Sequence, residues 1–176
     1  MDPEPELNFR PLTRADFPLV VDWLARPHVA EWWGSPLDFG GVEAKYGPCI
    51  DRSDPTLLFT CAEGADAVGL MQIYRMADNP EYALAVGIDD AGGIDLLIGD
   101  ETRCGRGLGP RIIGGAAELI WSRYPEVSGA LAGPSTRNAR SRRAFEKAGF
   151  VALRQVTVPE EEDDEMILFC PRPRAR

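Results

Sequence analysis

Gly105-Arg106-Gly107-Leu108-Gly109 is a stretch of this 176-residue chain whose spacing suits a definite chemistry. It follows an apolar run, Ile94 to Gly99, and precedes a segment in which Ile112, Ile113, Ala116, Ala117, Leu119 and Ile120 recur at helical spacing. A helix is therefore expected to begin near Gly107, directly after a strand. The N–H groups of a helix's first turn have no intrahelical acceptor and sit at the positive end of the macrodipole, so such a turn can hold a phosphate. Glycines let the phosphate approach bare backbone. Pro110 removes one donor from that turn at little cost to the helix. No Lys-Ser or Lys-Thr pair follows, which excludes a Walker loop, and taken alone the glycines also fit a tight connection.

A second motif runs from Pro134 to Phe150, where Ser135 or Asn138 can cap a helix and Gly149 can stop it. Arg106 and Arg111 near the first motif, with Arg137, Arg140, Arg142 and Arg143 in the second, form a dense positive cluster in a chain of net charge −9. Coulomb attraction suits that cluster to a polyphosphate; the alternative is a solvated helix face.

Cys104 to Gly109 resembles the acyl-CoA pyrophosphate loop of the GNAT acetyltransferases, and Asn138 to Phe150 resembles their Asn-x6-[Tyr/Phe]-Glu-Lys-x-Gly-Phe segment. The resemblance implies an α/β fold with a central mixed sheet flanked by helices, and acetyl-CoA as co-substrate; the scattered cysteines and single histidine separately lead to the expectation of no metal. It implies that two neighbouring parallel strands, here Ile94 to Gly99 and Val127 to Ala132, splay to admit pantetheine. Cofactor contacts then fall to Cys104, Gly105, Arg106, Gly107, Leu108, Gly109, Arg111 and Arg142 around the phosphates. Backbone groups at Leu97 and Ile98 would align the thioester, with Asn138 on the pantetheine arm and Phe145 beside it. Many family members place a tyrosine at the Phe145 position to protonate the departing thiolate, which phenylalanine cannot do.

From Leu7 to Phe169 the chain further resembles the aminoglycoside 6′-N-acetyltransferases, chiefly in Trp23 to Gly34 and Gly93-Ile94-Asp95-Leu96-Leu97. Acetylation needs a neutral amine, and a carboxylate at Asp95 can bind the ammonium and take its proton, directly or through water. Trp32 and Trp33 offer flat walls to a sugar ring, while Glu31, Glu81 and the acidic run Glu160 to Glu165, represented by Glu160, offer charge to further ammonium groups. His28 reads as a structural hydrogen bonder. Gly133 stands where those enzymes carry an aspartate for acceptor binding. Lysine-type siderophore or polyamine acylation, and a non-catalytic module that binds coenzyme A or a drug, remain as alternatives.

Composition fits one domain: 44% hydrophobic residues supply a substantial core, and no apolar run approaches a membrane span. The expected division is a disordered 1–6, a domain over 7–170 and a disordered basic tail over 171–176. The acidic balance disfavours nucleic acid and anionic membranes and favours a cationic small-molecule amine. A cytoplasmic monomer or homodimer is expected, its four scattered cysteines reduced. Along the chain, strands are expected near Leu7 to Leu12, Leu57 to Glu63, Ala67 to Tyr74, Tyr82 to Gly87, Val151 to Val158 and Met166 to Phe169. Helices are expected after Thr13, ending by Pro27, and over Val42 to Tyr46.

Overall fold

The computed structural model describes residues 5–159 and 161–174. Seven strands form one mixed sheet in the order β1-β2-β3-β4-β5-β7-β6: β1 (Leu7–Pro11), β2 (Leu57–Glu63), β3 (Asp66–Arg75), β4 (Ala91–Ile98), β5 (Gly129–Ala132), β6 (Val151–Val156) and β7 (Glu165–Pro171). Among the described residues six α-helices accompany them: α1 (Phe17–Leu24), α2 (Pro27–Trp33), α3 (Phe39–Ile50), α4 (Pro80–Val86), α5 (Leu108–Arg123) and α6 (Ala139–Lys147). The chain groups into two compact units, one of residues 1–72 and 96–104, the other of 73–95 and 105–176.

In the first unit β1 pairs antiparallel with β2, and the core gathers Phe17, Val20, Trp23, Leu24, Val42, Tyr46, Leu58, Leu70 and Leu97. Thr13 and Asp16 introduce α1 as expected: the Asp16 carboxylate accepts the Thr13 N–H at 2.9 Å and the Thr13 hydroxyl at 3.0 Å. Arg10 closes on the same carboxylate through two hydrogen bonds of 2.5 and 2.8 Å. That guanidinium, more than any other neighbour, holds the Asp16 carboxyl below its ordinary range. Asp16→Ala is expected to cost about 1–3 kcal/mol in urea unfolding, since it removes the cap and leaves Arg10 without its partner. Because the folded-state pKa is depressed, this contribution is present above the unfolded value of about 4 and disappears as pH falls through the folded one.

Pro27 does not simply end α1. That helix stops at Leu24, and Pro27 takes the first-turn position of α2, where its missing N–H has no helical acceptor to satisfy. The helix expected over Val42 to Tyr46 is the middle of a longer one, Phe39–Ile50, which Asp38 caps by accepting the Gly41 N–H at 2.8 Å.

In the second unit Met76, Ala83, Val86, Ala91, Leu131 and Ile167 are buried together, with Tyr74, Tyr82, Ile88, Val156 and Phe169 packed against them. Tyr82 to Gly87, expected as a strand, lies almost wholly in α4. Pro80 opens that helix and Gly87, at φ +75°, ends it in the left-handed region that glycine adopts without strain. Tyr-Ala-Leu-Ala-Val is apolar throughout and too short for periodicity to separate strand from helix, so the flanking proline and glycine decide.

β4 and β5 run parallel, but their register covers only Ala91↔Gly129, Gly92↔Ala130 and Gly93↔Leu131. The last five residues of β4 lie beyond that ladder. β5 pairs antiparallel with β7, and β7 with β6. Pro171 closes β7 rather than opening a tail, and Arg172 donates to the carbonyls of Trp121, Tyr124 and Pro125 at 2.9 to 3.3 Å. Among the described residues no helix is long and apolar enough to cross a membrane.

Candidate active site

Asp95 belongs to the second unit, two residues beyond the last position of β4 that pairs with β5. Strand alternation puts it on the same face as Gly93, and glycine is needed there: a Cβ at 93 would overlap the Tyr74 ring. The ring therefore lies over bare β4 backbone, with the phenol hydrogen-bonded to the Asp95 carboxylate. Loss of water contact, and then the charge of Asp95, raise the Tyr74 pKa well above its ordinary value, so the phenol remains a donor.

A second carboxylate shares this environment. Glu165, the first residue of β7, accepts the Tyr82 hydroxyl at 2.7 Å. Removal from water drives its carboxyl up to about 7; the Tyr82 hydrogen bond acts in the opposite sense, while Asp95 and Glu161 add to the rise. Gly133 lies directly beneath: a Cβ there would collide with Glu165 Oε2 and stand 2.5 Å from the Tyr82 oxygen. The position read from the sequence as lacking a carboxylate thus has one beside it, supplied from another strand.

The glycine-rich loop follows its expected course. Gly107 directly precedes the 16-residue α5 at φ +89°, and Gly105 has φ +75°. At both positions a Cβ would meet no protein atom within 4 Å, so the loop's bare backbone faces open space. Leu108 is buried, Gly109 half-buried and Arg106 exposed. Arg111 is half-buried and its N–H already bonds the Gly107 carbonyl at 3.4 Å.

Asn138 caps α6 by accepting the Ser141 N–H at 3.0 Å through Oδ1, and Gly149 follows the helix at φ +94°. The arginines of this region do not all present free charge. Arg137 pairs with Asp163 at 3.0 Å, and Arg142 donates to the Thr136 carbonyl at 2.8 Å, whereas Arg140 and Arg143 are exposed. Phe145 is a core residue, set edge-on to Phe150 with ring centroids 5.2 Å apart. Glu81 is exposed in the first turn of α4.

In the first unit Leu97 is buried, and the Ile98 carbonyl accepts the His28 Nε2–H at 2.9 Å, which makes His28 the structural hydrogen bonder expected of it. Gly99 is required by the Trp23 indole lying against it, and its carbonyl accepts Arg26 at 2.7 Å. Cys104 is half-buried, its thiol 3.9 Å from the Asp100 carbonyl. The two tryptophans of α2 part company. Trp33 donates to the Tyr46 hydroxyl at 3.0 Å and packs on the core, while Trp32 is 37% exposed. Glu31 is exposed, and Glu160 lies outside the described residues.

Tyr74, Tyr82 and Gly93 escaped the sequence reading as site residues, and Glu165 entered it only as the last member of the acidic run Glu160 to Glu165, with nothing to set it apart from the rest. A signal for Glu165 did exist: it shares the period-2 face of Ile167 and Phe169, both in the second unit's core, but only if β7 is begun one residue earlier than Met166.

Residues 13–158 match the family described as Acetyltransferase (GNAT) domain, and the chain belongs to that family. It is 28% identical to the aminoglycoside N(6′)-acetyltransferase type 1 of Klebsiella pneumoniae, over 88% of this chain and 78% of that one. Among solved structures, the aminoglycoside acetyltransferase AAC(6′)-Ib in complex with coenzyme A and kanamycin superimposes with a TM-score of 0.80 at 25% identity, covering 95% of each chain. A lysine N-acyltransferase, MbtK of Mycobacterium sp. (strain MCS), is 28% identical over 79% of this chain and 57% of its own.

Proposed function

We propose that this protein transfers the acetyl group of acetyl-CoA to the 6′-amine of aminoglycosides, directly and without a covalent enzyme intermediate. The observation that carries the reading is Asp95, held by Tyr74 on the part of β4 that has left the β5 ladder. Similarity to aminoglycoside N(6′)-acetyltransferases over most of the chain supports the same acceptor.

Each residue has a task in this scheme. The N–H groups at the start of α5, reached past Gly105 and Gly107, bind the diphosphate of the donor. Arg106 and Arg111 add charge to that grip, and the Asn138 amide donates to the pantetheine arm. Backbone groups of Leu97 and Ile98 align the thioester; the Ile98 carbonyl is engaged by His28, so the Ile98 contribution is its N–H. Trp32 stacks on a sugar ring, and Glu31, Glu81 and Glu160 attract its remaining ammonium groups.

Asp95 accepts a proton from the 6′-ammonium, directly or through one water. The freed lone pair attacks the thioester carbonyl carbon, the carbon–sulfur bond breaks as the sulfur leaves as a thiolate, and the nitrogen gives up its second proton to a water molecule that passes one on to the thiolate. Phe145, apolar and buried, does not take part in that last transfer. A steady-state thiol-release assay with acetyl-CoA and kanamycin or tobramycin, with products assigned by NMR, is the test. Turnover of a lysine-type or simple polyamine substrate in their place would reassign the acceptor, and no turnover across the panel would remove the activity.

A further inference from the structure

We propose that Glu165 determines acceptor specificity: reaching from β7 into the space a side chain at 133 would fill, it holds a second ammonium group of a polyamine acceptor. The inference rests on the proposed acetyltransferase reading and extends it to a residue that reading does not use.

The geometry is specific. Gly133 directly follows β5, and the absence of a side chain there leaves room for Glu165 Oε2 and the Tyr82 hydroxyl. Tyr82 comes from α4, so helix and strand fix the carboxylate from two directions, and its 2.7 Å hydrogen bond aims one oxygen. Its other neighbours are unfavourable to a negative charge. Asp95 from β4 and Glu161 from the β6–β7 connection are acidic, Tyr74 from β3 is a neutral phenol, and no Lys or Arg pairs with Glu165 among the described residues.

A half-buried carboxylate facing a second carboxylate, with two neutral phenols beside it, is poorly stabilised by its own protein. A cation supplied by the ligand relieves both. An acceptor with two or more ammonium groups can present one amine to Asp95 and another to Glu165, while a monoamine can satisfy only one of them. Because the Glu165 carboxyl lies at about 7 in the free protein, ammonium binding lowers its pKa and expels a proton near neutral pH. This contribution to affinity grows as pH rises through that value.

Glu165→Gln keeps the hydrogen bond from Tyr82 and removes the charge. It is expected to raise KM for kanamycin about 10–100-fold. The kcat stays within about 3-fold, and KM for acetyl-CoA and for the monoamine 6-amino-6-deoxyglucose is unchanged. Calorimetry of kanamycin binding in two buffers of different ionisation enthalpy should show proton release by the wild type that the variant lacks. The double variant Gly133→Asp/Glu165→Ala puts the carboxylate back from the opposite side and is expected to recover most of the kanamycin KM. Equal KM changes for kanamycin and the monoamine, or an unchanged kanamycin KM, would overturn the assignment. If the wild type acetylates no amine, the proposed activity fails; calorimetry then decides separately, since kanamycin binding weakened by Glu165→Gln upholds the carboxylate's role and equal or absent binding ends it.

Discussion

Asp95→Asn lowers kcat about 100- to 10,000-fold, the range in which a positioned general base contributes, while the Kd for acetyl-CoA stays within about 2-fold. The substitution is nearly isosteric, and the new amide oxygen still accepts the Tyr74 hydroxyl, so the fold is retained. The expected loss falls on proton removal from the attacking amine, not on donor binding. Stopped-flow turnover beside calorimetric acetyl-CoA titration measures the two quantities separately. A variant that turns over at the wild-type rate would transfer the base to a water molecule or another carboxylate. A variant that loses acetyl-CoA affinity in parallel would make Asp95 a structural residue of β4.

Gly93→Ala tests the support behind that carboxylate. Its methyl group would overlap the Tyr74 ring, which packs against the second unit's core and has little room to yield. Overpacking of this kind costs about 1–3 kcal/mol, and a chain of this size loses about 2–4 °C in Tm for each of those. Displacing the ring also breaks the Tyr74–Asp95 hydrogen bond, so kcat falls together with Tm. Tyr74→Phe separates the two effects: it retains the ring and removes the hydroxyl, and is expected to lower kcat with a Tm loss smaller than that of Gly93→Ala. Equal Tm and kcat for Gly93→Ala and wild type would show that the ring is not held over the strand.

The legible parts of this fold are those in which a local signal and its tertiary use coincide. Gly107 ahead of α5, Asn138 ahead of α6 and Gly149 after it are backbone requirements written into residue type, and the structure has them at those positions. The β2–β3 hairpin follows from two apolar runs around a short polar turn. α4 was not legible because five apolar residues satisfy either periodicity. The role of Trp33 as a core residue was equally hidden, since Trp32 and Trp33 are indistinguishable until α2 turns one of them inward.

The site divides in the same manner. Asp95 and the glycine loop stand out as motifs, but the neighbours of Asp95 come from distant sequence: its hydrogen-bond donor Tyr74 from β3, and the second carboxylate, Glu165, from β7. Gly133 looked like a deficit because a single position was read without its neighbours. Sheet order places β7 against β5 and so brings Glu165 to Gly133, and no periodicity within either segment predicts that meeting.

Glu165 stands at the mouth of the β6–β7 connection, whereas in the proposed scheme the glycine loop and the end of β4 beyond the β5 ladder would act through main chain. Insertions, deletions or exchanges in that connection can shift the second carboxylate while leaving the donor's peptide contacts as they are. Under antibiotic selection, drug range and thioester handling would therefore evolve along separate mutational routes, the first by small steps in a surface hairpin and the second scarcely at all.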